Sequence, residues 1–241
     1  MKPILRFSLS LALAALLGGA VTLTADHHGA ALNTLTAEEK SAGWKLLFDG
    51  ISLDGWRLYG KQEKPSKGWV VENGLLLKQK GVPGGNLITE KKFNDFEFSW
   101  EWRLEPKGNN GVKYFVTEAR PGAPGHEYQM LDDAGHPDGK VGPDRQTASF
   151  YEVLPPATDK PLKPPGEWNH SKIVVKGNDV EHWLNGRLVL RYTLGSAEVK
   201  AGIADSKFRN SPGFGDKIAG HIMLTDHQDA CWFRNLKIRE L

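Results

Sequence analysis

The chain has 241 residues, 39% of them hydrophobic and 25% charged, with a formal net charge of +2. That near-balance provides no field to draw in nucleic acid or a membrane surface. The single cysteine, Cys231, excludes an internal disulfide and a multi-cysteine metal site. The length suits one large β domain or two small ones. Eight tryptophans fit a protein that packs sugar rings on indoles, although most of them are expected in the core.

Lys2 and Arg6 precede an apolar run over residues 9–21, with the small residues Gly18, Gly19 and Ala20 at its end. This is the pattern of a secretory signal peptide, cleaved after Ala20 or Ala25. The run is too short for a comfortable membrane span, and no cysteine stands nearby to carry a lipid. The expectation is export to the periplasm or the exterior without a stable membrane anchor. Residues 1–25 are set apart as the signal peptide and 26–42 as a polar linker. A short helix is expected near 35–39, capped by Thr36.

From residue 43 the pattern is that of strands. Runs at 43–50 and 53–59 end in turn residues, and 69–77 folds back at Asn73-Gly74, a pair that accepts positive φ at both positions. In 95–103 the apolar Phe96, Phe98, Trp100 and Trp102 alternate with Glu97, Ser99, Glu101 and Arg103, so the four rings share one face. A turn at 108–111 leads to 112–116, and a Pro/Gly loop leads to 126–133. Taken as three neighbours in one sheet, these strands are expected to place Glu101, Arg103, Lys113, Glu127 and Gln129 together on the face opposite the rings. A strand at 148–154 and a proline-rich loop at 155–166 follow, then strands at 172–176, 180–184 and 187–192 joined by Gly-Asn and Asn-Gly turns. An irregular stretch and two last strands, 220–226 and 230–238, close the chain. About a dozen short strands with almost no helical periodicity predict an all-β, two-sheet antiparallel jelly-roll sandwich, one domain over 43–241.

Asp132, Asp133, His136 and Asp138 form a local cluster of oxygen and nitrogen donors. Such a loop is either turn chemistry or a divalent-cation site with Asp132 and Asp133 as candidate ligands. A glucanase of sandwich type would align acids at alternate positions of one strand. Glu127 and Asp132 are five apart and fall on opposite faces, which discounts an ordinary two-carboxylate hydrolase. No phosphate-cradling glycine loop opens a helix, so nothing points to a nucleotide, haem or flavin.

Trp44-Lys45-Leu46-Leu47-Phe48-Asp49-Gly50 with Leu53-Asp54-Gly55-Trp56 resembles the opening signature of the 3-keto-disaccharide hydrolase family. The resemblance continues through 110–116, 127–133, 166–169, 180–186, 220–227 and 232–238, nearly the whole chain after residue 43. It implies a concanavalin-A-like sandwich of the lectin/glucanase type and a carbohydrate substrate, a 3-keto-glycoside. The bond is cleaved by hydrolysis or by 1,2-elimination and hydration. Three positions depart from the family pattern: Asn110 stands where a serine is expected, Gln228 where a glycine is expected, and Thr225 where a glutamine is expected, the last of which bears on substrate contacts.

A C3 ketone acidifies the hydrogen on C2. Elimination therefore needs a base near C2, donors or positive charge at the enolate oxygen, and an acid for the leaving oxygen. Glu127 or His227 is the candidate base. Lys113 and Arg103, or a bound divalent cation, are candidates for the enolate, and Glu101 or His227 for the leaving group. Arg103, Asn110, Gln129, Tyr151, Trp168 and Asp226 are the candidate substrate contacts. Against these roles stand structural ion pairs, Glu101–Arg103 and Lys113–Glu127, across neighbouring strands, and a non-catalytic carbohydrate-binding module of the same fold.

Overall fold

The computed structural model describes residues 31–241. The expected signal peptide lies outside the described residues. In chain order the strands are β1 (Lys45–Leu46), β2 (Trp56–Leu58), β3 (Trp69–Glu72), β4 (Leu75–Lys78), β5 (Leu87–Thr89), β6 (Phe96–Leu104), β7 (Asn109–Val116), β8 (His126–Leu131), β9 (Asn169–Lys176), β10 (Asp179–Leu184), β11 (Arg187–Thr193), β12 (His221–Leu224) and β13 (Cys231–Glu240). All pairings are antiparallel. Sheet A runs β11-β10-β9-β6-β13-β4-β3, with β1 also on β13; sheet B runs β2-β5-β12-β7-β8.

The two sheets close on the rings of β6. Phe96, Phe98, Trp100 and Trp102 are buried, as their alternation predicts. Trp100 stacks on Phe98 at 4.9 Å and meets Tyr128 of β8 edge-on at 5.0 Å, and its indole N–H points to Met130 Sδ at 3.4 Å. Truncating Trp100 would remove this inter-sheet plug, a loss of about 3–5 kcal/mol. Behind it runs a buried polar chain. His182 Nδ1 donates to Ala148 O at 2.9 Å, so its Nε2 accepts from Tyr114 Oη at 2.8 Å. Tyr192 then donates to Tyr114, and His126 Nδ1 to Tyr192 at 3.3 Å. This chain ties the inner side of β7 and β8 to β10 and β11.

Four expectations change. The first concerns β6 itself. It pairs with β9 and β13 in sheet A, whereas β7 and β8 lie in sheet B. The turn at 105–108, with Lys107 at φ 63, sends the chain across the sandwich instead of back along the same sheet. Second, residues 148–154 are not a strand. Ala148 and Glu152 take φ of 69 and 61, which folds the segment into turns against the edge of β8. Third, a helix, α2 (Ala197–Asp205), capped by Ser196, stands in the stretch read as irregular. Fourth, residues 31–42 are fastened to the sandwich rather than strung out as a linker. Asn33 exchanges hydrogen bonds with Asn235 at the bulge of β13. The short helix α1 (Ala37–Ser41) is capped by Thr36 and Glu39 as a reciprocal box.

Candidate active site

Inward rings on β7 and β8 leave the alternate residues on the outer face of sheet B. Lys113 faces Glu127 directly in register, with Nζ 3.3 Å from Oε2. The row continues through Met223, Ile88 and Arg57, one residue per strand, at about 4.8 Å per step. Ile88, Met223 and Val116 make a small apolar cluster of their own, separate from the main core.

Gly111 precedes Lys113 by two residues and so shares its face. It is there for room: its φ is not in the left-handed region, but a Cβ would come within 2.2 Å of Glu127 Oε1. The carboxylate therefore lies over bare backbone. Glu127 is 6% exposed, and Oε1 has no hydrogen-bond partner among the described residues. That oxygen is not among the buried unmatched atoms, so it is reached from outside and is an acceptor held ready.

Polar groups border this oxygen. Gln129 pairs with Gly111. Thr225 N–H donates to Gly111 O at 3.0 Å, and its hydroxyl lies 3.4 Å from Asn110 Oδ1. Asn110 itself is fully buried on the inner face, opposite Met130, and its Nδ2 has no acceptor among the described residues. Tyr151 N–H donates to Glu127 O at 3.1 Å, which sets Tyr151 along the open edge of β8. Its hydroxyl donates to Asp138 at 2.7 Å, and Lys207 Nζ sits 4.3 Å over its ring. Burial, then the Asp138 carboxylate, push the Tyr151 phenol up. Burial would raise Asp138, but hydrogen bonds from Arg145 and Tyr151 outweigh it and hold the acid below its usual range. His227 is exposed on the loop that leaves β12 just past Thr225.

Residues 43–239 match the family described as the 3-keto-alpha-glucoside-1,2-lyase-like domain. A protein of Bacteroides thetaiotaomicron named 3-keto-disaccharide hydrolase is 34% identical over 256 residues, which span 92% of this chain and 87% of that one. The chain belongs to this family. A crystal structure from Parabacteroides distasonis, described as a candidate glycosyl hydrolase, superposes with TM-score 0.79 at 33% identity, covering 88% of this chain and all of the other. A second from the same organism, described alike, gives TM-score 0.65 at 25% identity over 82% of this chain.

Within this 3-keto-alpha-glucoside-1,2-lyase-like domain the predicted residues divide. Lys113, Glu127, Gln129 and Tyr151 come together, with His227 on the adjoining loop, whereas Asn110 faces inward, opposite Met130. Glu101, Arg103 and Trp168 do not join them, because the β6 residues project from the outer face of sheet A. Both Glu101 oxygens are occupied: Oε2 by Arg234 at 2.7 and 2.8 Å, Oε1 by Asn235 at 2.8 Å. Burial pushes that acid up, but the Asn235 and Arg234 hydrogen bonds win and lower it. It is not poised to give a proton. Trp168 carries the guanidinium of Arg234 at 4.0 Å and that of Arg103 at 5.1 Å, and Arg103 also stacks on Trp232 at 4.6 Å. These cations cover the indole face a sugar would need.

Asp226 and the Asp132–Asp133 pair lose their expected roles because their oxygens are engaged. Asp226 accepts from the N–H groups of Gly84, Gly85 and Gln228 and from buried Lys78. Asp132 accepts from Lys107 N–H and Gly135 N–H, and Asp133 from Thr147 N–H and Lys160 Nζ. A cation there would have to displace all four donors. Among the described residues no group of three such side chains is arranged to hold a metal. A pocket of about 270 Å³ lies at one end of the sandwich, between Trp102, Leu104, Leu131, Leu162 and Asn169. Its carboxylates are these same engaged ones, so the chemistry is assigned to the Lys113–Glu127 row. Sequence reasoning missed Gly111 as the seat of the carboxylate and Lys78 altogether; a lysine at an inward position of β4, in step with Leu76, was the available signal.

Proposed function

We propose that this protein cleaves the glycosidic bond of 3-keto-glycosides by 1,2-elimination followed by hydration, with Glu127 as the base. The observation that carries the reading is the free Oε1 of a buried carboxylate whose other oxygen is held by Lys113. Glu127 takes the proton from C2. The C2–H electron pair becomes the enolate of the C3 ketone. The enolate then collapses to a C1–C2 double bond, and the C1–O bond breaks with its electrons on the leaving oxygen. That oxygen takes a proton and departs as an alcohol, and water adds across the double bond to restore the 3-keto sugar.

Charge bookkeeping favours this pair. At rest the lysine neutralises the carboxylate. When Glu127 is protonated, its charge disappears as the enolate charge forms, and Lys113 faces the new anion without any net charge entering a buried site. His227, exposed at the border of the row, is the candidate acid for the leaving oxygen. A two-carboxylate hydrolysis lacks its second member here: Asp138 is engaged by Arg145, and Glu152 by Arg145 and Lys207.

The test is release of the leaving group from a 3-keto-glucoside and from the unoxidised glucoside. The wild type is expected to turn over only the former and to show the unsaturated intermediate. Glu127→Gln keeps the shape and removes the base, with an expected loss of about 10²–10⁴ in kcat. Near-normal turnover by this variant would exclude the base role. Binding without release by the wild type would favour a carbohydrate-binding module.

A further inference from the structure

We propose that Lys78 is a positioning residue for this reaction, acting through His227; the inference rests on the function proposed above. Lys78 ends β4 and is fully buried. A buried ammonium needs every proton matched, and this one is: Nζ meets Asp226 Oδ1 at 3.0 Å, Gln79 O at 2.8 Å and Val82 O at 2.7 Å. Replacing the whole Lys78–Asp226 pair by apolar side chains would remove that requirement, and such replacements are often neutral or stabilising, whereas removing the lysine alone leaves Asp226 a partner short. Stability alone is therefore a poor reason for a lysine here. The reason lies in what its partner holds.

Asp226 is the hub of two loops. Its Oδ2 accepts from Gly84 N–H and Gly85 N–H at 2.6 and 2.7 Å, and its Oδ1 from Gln228 N–H at 2.9 Å. Its own N–H donates to Asn86 Oδ1 at 2.8 Å. Gly81 N–H donates to Gln228 O at 2.7 Å. Asn109 N–H donates to Asp229 Oδ2 at 2.9 Å, and Ala230 N–H to Glu105 Oε1 at 3.0 Å. Gln228 is held at φ 64, a conformation that survives only where the surroundings fix it. Every residue from Asp226 to Ala230 is thus anchored except His227, whose side chain is exposed. Thr225, just before this loop, is bonded to Gly111, over which Glu127 Oε1 lies. A rigid loop presenting one free imidazole at the border of the reactive carboxylate is the arrangement that a preorganised acid requires.

Removing the ammonium leaves Asp226 its three amide donors but lowers stability, so a thermal melt accompanies each variant to establish that the assayed protein is folded. The turn at 79–82 loses its tie to Asp226, and His227 loses its fixed direction. The experiment is a double-mutant cycle on a 3-keto-glucoside with Lys78→Met, His227→Ala and both together. His227→Ala is expected to lower kcat about 10²-fold, and Lys78→Met about tenfold with KM changed less than about twofold. The double variant is expected to match His227→Ala within about twofold, because Lys78 then has nothing to position. A loss from Lys78→Met that multiplies in full with that of His227→Ala would overturn the proposal, as would full turnover by either single variant. If Lys78→Met does not fold, Asn86→Ala removes only the Asp226 N–H anchor and enters the same cycle with the same expected non-additivity. Failure of the underlying reaction is seen separately, as undiminished turnover in Glu127→Gln.

Discussion

Gly111→Ala isolates the geometry of Glu127 from its chemistry. The backbone accepts alanine, since Gly111 does not occupy the left-handed region. The new Cβ would stand 2.2 Å from Oε1 and 3.0 Å from Cδ of Glu127. Real Cβ atoms essentially never approach within 3.0 Å, so the carboxylate must retreat by close to an ångström while Lys113 still holds Oε2. A misplacement of about 1 Å costs on the order of 10² in rate, or about 2.7 kcal/mol of transition-state stabilisation. Overcrowding costs about 1–3 kcal/mol of stability, partly offset by the ~0.4–1 kcal/mol that alanine gains by restricting the unfolded chain. At about 2–4 °C per kcal/mol for a chain of this size, Tm should fall by only a few degrees. Steady-state turnover of a 3-keto-glucoside, beside a thermal melt, measures both. In the Glu127→Gln background the same alanine should cost little more, because the displaced group no longer acts. A Gly111→Ala enzyme within about twofold of wild-type kcat would refute the assignment of Oε1 as the reacting oxygen.

Glu101→Gln separates the two sheet faces. It removes the carboxylate from Arg234 and should lower stability by about 1–2 kcal/mol, with kcat within about twofold of wild type; a large loss of turnover in a folded variant would return Glu101 to the site. Acid stability tests the buried histidines. Burial foremost lowers the imidazoles of His126 to about 3 and His182 to about 4, from an unperturbed value of 6.5. Between those limits the unfolded chain binds protons the native chain refuses. Their contribution is therefore complete above about pH 6.5 and declines as pH falls, by up to ~1.4 kcal/mol per pH unit for each histidine. Urea midpoints should drop between pH 7 and pH 5, less steeply in His126→Phe, and a midpoint flat over that range would contradict the burial of neutral rings.

The period-two alternation of β6 was legible, and it locates the core correctly. Its sheet was not, because an alternating strand has the same outward pattern whichever neighbours it takes. The choice is made by β9 and β13, roughly 70 and 130 residues further along the chain by the register of their pairing, and adjacency in sequence predicts pairing only about two times in three. Lys113, Glu127 and Gln129 could be found because their two strands do pair as sequence neighbours. The segment 148–154 misled for another reason: nothing in its composition announces positive φ at Ala148 and Glu152. Helix α2 is a product of tertiary packing. It contains Gly202, where a Cβ would fall 2.3 Å from Val153 O, so a residue poor for helices is what allows the helix to dock.

Saturation distinguishes the two outer faces. On sheet A, Glu97, Glu101 and Glu181 each meet an arginine, at 2.9, 2.7 and 2.6 Å. Such charge-assisted pairs are close to the best partners those acids can have, and a neutral sugar offers nothing stronger. On sheet B, Glu127 has one lysine at 3.3 Å, an open oxygen, and a position far more buried than any folding argument would choose for it. That oxygen is left open to solvent or a ligand. Asn110 Nδ2, a buried donor without an acceptor among the described residues, lies on the inner face of β7, away from that oxygen. Folding gains nothing from leaving the outer acceptor open, whereas a substrate that brings an acidic C–H to it satisfies it.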